Sequence, residues 1–463
     1  MSEAGQLPTL VIARTATPGL RWALAVLATG SALGVLAGVN ALLAIAAAIA
    51  LAYTAVSVID VRLGLCLFVV FTFLEVLPVT LGPVVSLTKL AGLVLALGWV
   101  ATVTARSGRR GQGLLAAHPA AAWLLVSLVA LAAASVAWAG SPAAAIAATF
   151  RYALNAVLFV IVYNVVRGRR DLQYVVAAYV TGSAVSAAYG ILLPASSAGA
   201  GLERVGGTIG DANEFAAVLG SALPLAVALA VVDRRSTRMR ALGLGAALLS
   251  AAGIALSLSR GGLLAVAVML VAGLVLAGRW RAIVAAVCVV IALLGAGYFL
   301  VVAPPMARER VTASDGGTGR TDVWKVGWRM VEARPLLGVG AGNFPTASVR
   351  YLLRPGQLAR SDLVAGTPKV AHNTYLNVLA ELGVFGASAF LGLIGFAMGA
   401  GLRAARAFER QGDVPMEVLS RAWLVGVAGI LAAYVFISAE FSKQLWLLLA
   451  LGPCLLAMTR EGT

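Results

Sequence analysis

Fourteen apolar stretches run through this sequence, separated by short Arg-rich or Gly/Pro-rich breaks. They cover approximately 20–37, 40–59, 63–77, 86–104, 119–137, 148–166, 172–193, 213–232, 241–258, 261–277, 282–303, 375–402, 419–437 and 444–459. Crossing a hydrocarbon core of about 30 Å as a helix takes roughly 20 residues, and nearly every stretch reaches that length. The stretch 63–77 is among the shortest, so the pattern predicts 12–14 transmembrane helices in an all-α, polytopic membrane protein. Three parts follow: a transmembrane bundle over 1–303, a long polar loop over 304–374, and transmembrane helices over 375–463. No cleavable signal peptide is evident, because the first apolar run follows a polar leader and continues into further spans.

Composition agrees. Of 463 residues, 61% are hydrophobic and 12% charged. Soluble domains carry roughly 45–50% apolar and 25% charged residues, and a soluble globule of this length could not hide the excess. A soluble enzyme, a disordered chain and a coiled coil are excluded. Cys66, Cys288 and Cys454 lie far apart inside apolar runs, where helix packing accounts for them better than a disulfide framework or a metal cluster.

The net charge of +16 would suggest a nucleic-acid partner in a soluble protein. In a membrane protein the charges are first sorted by side, because Lys and Arg in short loops mark the cytoplasmic face. With the N-terminus inside, 20 of the 35 basic residues fall in inside segments. Only Lys89, Arg151, Arg204, Arg260 and Lys443 fall in outside segments, and the other 10 lie in the long loop. Long loops translocate largely regardless of charge. Both termini are therefore expected in the cytoplasm, with the loop and any chemistry it carries on the extracytoplasmic side of the cytoplasmic (inner) membrane. Most of the excess charge is topology, and no nucleic acid is expected.

A structureless loop of this length is unusual, so structure is expected within it. Trp324, Trp328 and Val331 recur at i, i+4 and i+7 with Val323 alongside, which is helical spacing; Gly327 shares that face. An amphipathic helix lying on the outer membrane surface is expected there. Pro335, Gly338, Gly340 and Gly342 break it.

The candidate chemistry lies among outward polar residues. His372 stands where the loop re-enters the membrane as a helix. A helix N-terminus disfavours imidazolium, so the neutral, base-competent ring is expected; the plain alternative is helix capping with Asn373 and Thr374. His118, next to Pro119 in a basic inside loop, reads as structural. Arg260, in Leu258-Ser259-Arg260-Gly261-Gly262, sits between two apolar runs with almost no loop, where a guanidinium needs a partner or an aqueous cavity. A tight turn with an interfacial arginine is the alternative. Arg320 stands just before the loop helix, and arginine suits bidentate phosphate recognition; the alternative is a surface charge or a pair with Asp322. Asp211, Asn213 and Glu214 close a Gly-rich outer loop that begins near Arg204, and an N-cap by Asp211 or Asn213 explains much of it. No two carboxylates stand two residues apart, and no P-loop or dinucleotide fingerprint appears. A cationic clamp is better supported than a metal clamp, and neither a metal nor a cofactor is expected.

Three segments together resemble the O-antigen ligase and polymerase family: SLSRGGLL (257–264), GRTDVWKVGWRMVEARPLLGVGAGNF (319–344) and AHNTYLNVLAELGVFG (371–386). Segment 204–215 resembles the family's D-P-N-x-F-A stretch, with Ala212 where Pro is common. Arg334-Pro335 stands where His-Pro or Asn-Pro is usual. The resemblance covers roughly residues 240–400. It implies a fold like that of integral-membrane (GT-C type) glycosyltransferases and a polyprenyl-diphosphate-linked glycan as donor, used without a metal. Arg260 and Arg320 match the family arginines that hold the diphosphate, Arg204 adds a weaker cation, and His372 matches the essential histidine. The acceptor would be a hydroxyl on a glycan, lipid or protein, glycosylated with inversion. A ligase and a repeat-unit polymerase share these motifs. A lipid-linked oligosaccharide flippase is the alternative from another class, although no internal repeat is evident.

Overall fold

In the computed structural model 85% of the described residues are helical and none lies in a strand. The described residues are 18–74, 87–105, 113–193, 205–232, 236–297, 300–301, 320–352 and 370–460. The helices of the N-terminal part are α1 (Pro18–Val39), α2 (Ala41–Ile59), α3 (Val61–Phe71), α4 (Leu87–Ala105), a single turn α5 (Leu114–Ala117), α6 (Pro119–Ala134), α7 (Pro142–Val165), α8 (Arg169–Leu192), α9 (Ala212–Val232), α10 (Thr237–Leu256), α11 (Arg260–Leu276) and α12 (Arg281–Gly297). The loop contributes α13 (Arg320–Ala333) and α14 (Phe344–Leu352), followed by α15 (Thr374–Gln411), α16 (Val414–Ala433) and α17 (Lys443–Met458).

Each apolar stretch of the sequence corresponds to one helix. Among the described residues eight helices are long and apolar enough to cross a membrane, against the 12–14 spans expected, and six further apolar segments are 10–17 residues long. The breaks between stretches carry the caps that end them. Asn40 accepts the Leu43 amide, Asp60 the Arg62 amide and Ser236 the Met239 amide, at 2.8–3.2 Å. Such caps satisfy amides that have no partner within the helix, which matters most where water is scarce.

The bundle is built on close backbone approach at small residues, as expected where lipid removes the hydrophobic drive for association. α9 packs against α8, α10, α11 and α16, and α16 against α11 and α15. A Cβ on Gly243 would stand 2.6 Å from the Ala226 carbonyl oxygen, and one on Gly262 2.6 Å from the Ala216 methyl. At the end of the bundle away from His372, the fully buried Glu417 carboxylate pairs with Arg279 and with Arg421 (3.0 Å), and Arg421 reaches Glu409 at 2.8 Å. This network ties α15 and α16 to the turn after α11.

At the opposite end the loop folds onto α15. The apolar face of α13 buries Val323, Val326, Gly327 and Met330 in a cluster with Phe344, Leu376 and Ala380. A helix forms where the spacing predicts one, but the face it buries is centred on Val323, Val326, Gly327 and Met330 and not on the row of Trp324 and Trp328. The stripe packs on the protein, and Gly327 sits in it because a Cβ there would meet the Leu376 side chain at 2.9 Å. Trp328 alone of the two tryptophans stays largely exposed, at 54%.

α15 runs for 38 residues, about 57 Å at 1.5 Å per residue, which exceeds the hydrocarbon core. It breaks at Gly383, where φ is 64° and ψ −167°. The break releases carbonyls that the loop uses. Val339 and Gly340 donate to the Ala380 and Glu381 carbonyls at 3.0 and 2.9 Å, and Val384 donates to Pro335 at 2.8 Å. That backbone region is essentially restricted to glycine. Gly383→Ala is expected to lower the thermal midpoint of the detergent-solubilised protein by several degrees. An unchanged midpoint contradicts the brace.

Candidate functional site

Three connections at the loop end of the bundle converge. The turn 257–259 places Leu258 at φ 48°, and Ser259 caps α11 by accepting the Gly262 amide at 3.1 Å. The Ser259 hydroxyl donates to the Asn213 side chain at 2.8 Å. This bond joins the turn to the start of α9, where Asp211 caps the helix by accepting the Asn213 and Glu214 amides at 2.8 and 2.9 Å. Asp211 thus takes the capping role read from sequence, while Asn213 positions the Arg260 turn. Arg260 opens α11 and is exposed.

Arg320 opens α13 and is half-buried. Burial pushes its guanidinium below the ordinary arginine value, Asp211 pulls it up, and Arg260 pushes it down. Residues separated by 49 to 109 positions in sequence therefore share one electrostatic neighbourhood. The sequence alternative that pairs Arg320 with Asp322 gives way to a different contact: Asp322 binds Lys325 at 3.0 Å.

One turn further along α13, Trp324 lies 6.1 Å from the Phe436 ring and donates its indole N–H to the Ala371 carbonyl at 3.0 Å. Phe436 also packs beside Gly261. The Arg260 turn, the Arg320 helix and the residue before His372 are thereby linked through two aromatic rings.

His372 is half-exposed and holds φ at 49°. It and Leu258 are the only non-glycine residues with positive φ among the described residues. Such a conformation is uncommon, more so for leucine than for histidine, and persists where surrounding structure enforces it. The enforcement around His372 is visible. The Ala371 amide donates to Asn377 at 3.3 Å, and the Ala371 carbonyl accepts from Trp324. The Thr374 hydroxyl donates to the Ile437 carbonyl at 2.6 Å and accepts from the Ala439 amide at 3.0 Å. Capping belongs to Asn373, whose side chain accepts the Leu376 amide at 3.0 Å.

Beneath His372, Glu381 is 2% exposed and accepts the Gly342 and Phe344 amides at 2.7 and 3.0 Å. Glu381 stands within the segment 371–386, whose pattern by itself assigns it no role. A glutamate in an otherwise apolar helix, opposite a Gly-x-Gly-x-Gly segment rich in free amides, was the available signal. An apolar groove of about 400 Å³ opens beside Asn373, lined by Trp324, Trp328, Leu376, Leu379 and Leu391 among others.

His118 has the structural role read for it, buried between the Tyr163 and Phe396 rings at 5.5 and 5.7 Å. Arg204 lies outside the described residues. Among the described residues no three His, Cys, Asp or Glu side chains converge in a set that could hold a metal ion.

Residues 245–391 match the family of O-antigen ligases. This chain carries an O-antigen ligase-like domain. The match takes in Arg260, Arg320, His372 and Glu381, and stops short of Asn213 and Glu440. No curated protein matches the chain. A ligase-like domain in a multi-pass helical protein supports a glycosyltransferase-like role in polysaccharide assembly, with a lipid-linked glycan and an acceptor as partners in a membrane.

Losing a helix cap costs about 1 kcal/mol, or roughly fivefold in a local opening constant. Asn373→Ala is therefore expected to speed amide exchange across 371–377 about fivefold, with Asn373→Asp near wild type. Equal exchange in all three proteins contradicts the assigned cap.

Proposed function

We propose that this protein transfers a glycan from a polyprenyl-diphosphate donor to an acceptor hydroxyl on the extracytoplasmic face of the cytoplasmic membrane, as an O-antigen ligase-like enzyme. The observation that carries the reading is the shared neighbourhood of Arg260, Arg320 and Asp211, linked through Phe436 and Trp324 to the strained His372. Two guanidiniums held together repel each other, and a dianionic ligand relieves that repulsion. The basic-residue distribution supports cytoplasmic termini, which puts this cluster outside.

In the proposed reaction Arg260 and Arg320 hold the donor diphosphate and stabilise the charge that develops as it leaves. His372 takes the acceptor hydroxyl proton. The acceptor oxygen bonds to the anomeric carbon as the bond to the diphosphate oxygen breaks, which inverts the configuration. Polyprenyl diphosphate leaves with the bonding electrons. The apolar groove beside Asn373 offers a lipid chain a route along α15. A repeat-unit polymerase would run the same chemistry on a second lipid-linked glycan. A flippase reading finds less support, since the candidate polar groups gather at one end of the bundle.

The test is transfer from a lipid-linked donor by purified protein in EDTA. General-base catalysis contributes about 10²–10⁴-fold, so His372→Ala is expected to lose at least that lower bound while wild type keeps its activity in EDTA. Full activity of His372→Ala removes the base assignment, and inactivity of wild type in EDTA removes the metal-free clamp.

A further inference from the structure

The connection 434–442 between α16 and α17 has two flanks. On one, Phe436 packs beside Gly261 and faces Trp324, next to the two guanidiniums already described. On the other, the Phe441 ring lies 4.7 Å from Tyr152 and carries the Arg151 guanidinium 5.5 Å from its centroid. Thr374 is hydrogen-bonded into the middle, to Ile437 and Ala439. The helix start that bears His372 therefore spans this connection, with a cation on either side.

The donor site does not use Arg151. This residue lies ten positions into α7, a 24-residue apolar helix, and is itself exposed. Its neighbours Ile146, Phe150 and Leu154 are exposed too, as a lipid-facing stripe would be. An arginine at such a place is expensive and marks a polar pathway by default. Its charge acts on Glu440, which is 5% exposed. The Glu440 Oε1 accepts from the Asn377 amide at 2.9 Å, and its Oε2 has no hydrogen-bond partner among the described residues. The same Asn377 side chain accepts the amide of Ala371, next to His372. Asn377 thus joins Glu440, which feels the Arg151 charge, to the residue before His372. Burial pushes the Glu440 carboxyl above the ordinary glutamate value, and the Arg151 charge pulls it back down.

We infer that Arg151, seated on Phe441, is the acceptor subsite. It binds an anionic group of the acceptor, a phosphate monoester or a carboxylate, and presents the acceptor hydroxyl to His372 from the flank opposite the donor diphosphate. The inference rests on the transferase reading and adds the class of acceptor to it.

The full-length protein in detergent tests it with two readouts. Undecaprenyl diphosphate is the binding probe. Envelope vesicles from cells lacking this chain supply the acceptor for transfer from a lipid-linked donor. Arg151→Ala is expected to bind undecaprenyl diphosphate within twofold of wild type, yet to need at least tenfold more vesicles for half-maximal transfer, with Arg151→Lys recovering most of the loss. Phe441→Leu, which keeps the volume and removes the ring, is expected to raise the requirement at least threefold and guards against misfolding of the arginine variant. Treating the vesicles with phosphatase, or amidating their carboxylates, closes the gap between wild type and Arg151→Ala according to which anion is read. Unchanged transfer in Arg151→Ala and Phe441→Leu overturns the subsite, as does loss of undecaprenyl diphosphate binding in either, or a gap that neither treatment closes. A wild type that neither binds the probe nor transfers overturns the transferase reading, and the subsite with it.

Discussion

The Glu381 carboxylate, buried on α15 two turns beyond His372, accepts two backbone amides from the loop segment 335–344. A carboxylate moved out of water pays a large desolvation cost unless hydrogen bonds replace its hydration. Those bonds come from Gly342 and Phe344, and the helix break at Gly383 adds three backbone bonds between the same two segments. The loop is thereby fixed to α15 from below. Everything above follows from that attachment: α13 lies against α15, Trp324 reaches the Ala371 carbonyl, and Arg320 comes to stand near Arg260.

The same attachment explains the strain at the site. His372 and Leu258 hold left-handed backbone conformations that cost of order 1–3 kcal/mol each. Each is flanked by residues bonded to other elements: Ser259 to Asn213 on one side, Ala371 and Thr374 to Asn377, Trp324 and the 434–442 connection on the other. Backbone strain beside the proposed clamp and at the proposed base, and at no other non-glycine among the described residues, fits a site whose geometry is enforced rather than relaxed. Pre-positioning of this kind favours a reaction in which charge develops between fixed donors.

Much of the fold was legible in the sequence because a bilayer imposes one periodicity and one length on every span. The fourteen apolar stretches and the fourteen apolar helices among the described residues agree in order, and the candidate residues Arg260, Arg320 and His372 fall at one end of the bundle. What a helix packs against was harder to read. The row of Trp324, Trp328 and Val331, with Val323 alongside, has the same spacing whether it meets lipid or protein, and only Gly327 on that face hinted at a close neighbour. The roles of Glu381, Asn377 and Glu440 depend on contacts across 37 to 63 positions, which no local pattern encodes. Asp211 and Asn213 could both be capping residues by type; their division into a cap and a link to Ser259 is a matter of geometry alone.

The central claim is that Arg260 and Arg320 act together on one diphosphate. A double-mutant cycle on undecaprenyl diphosphate affinity, measured in EDTA, tests it most directly. Each alanine variant is predicted to weaken binding at least tenfold, and the double variant to fall short of the product by a coupling of about 0.5–3 kcal/mol, as for residues sharing one ligand. Wild-type affinity in either single variant, or strict additivity in the double, contradicts the account.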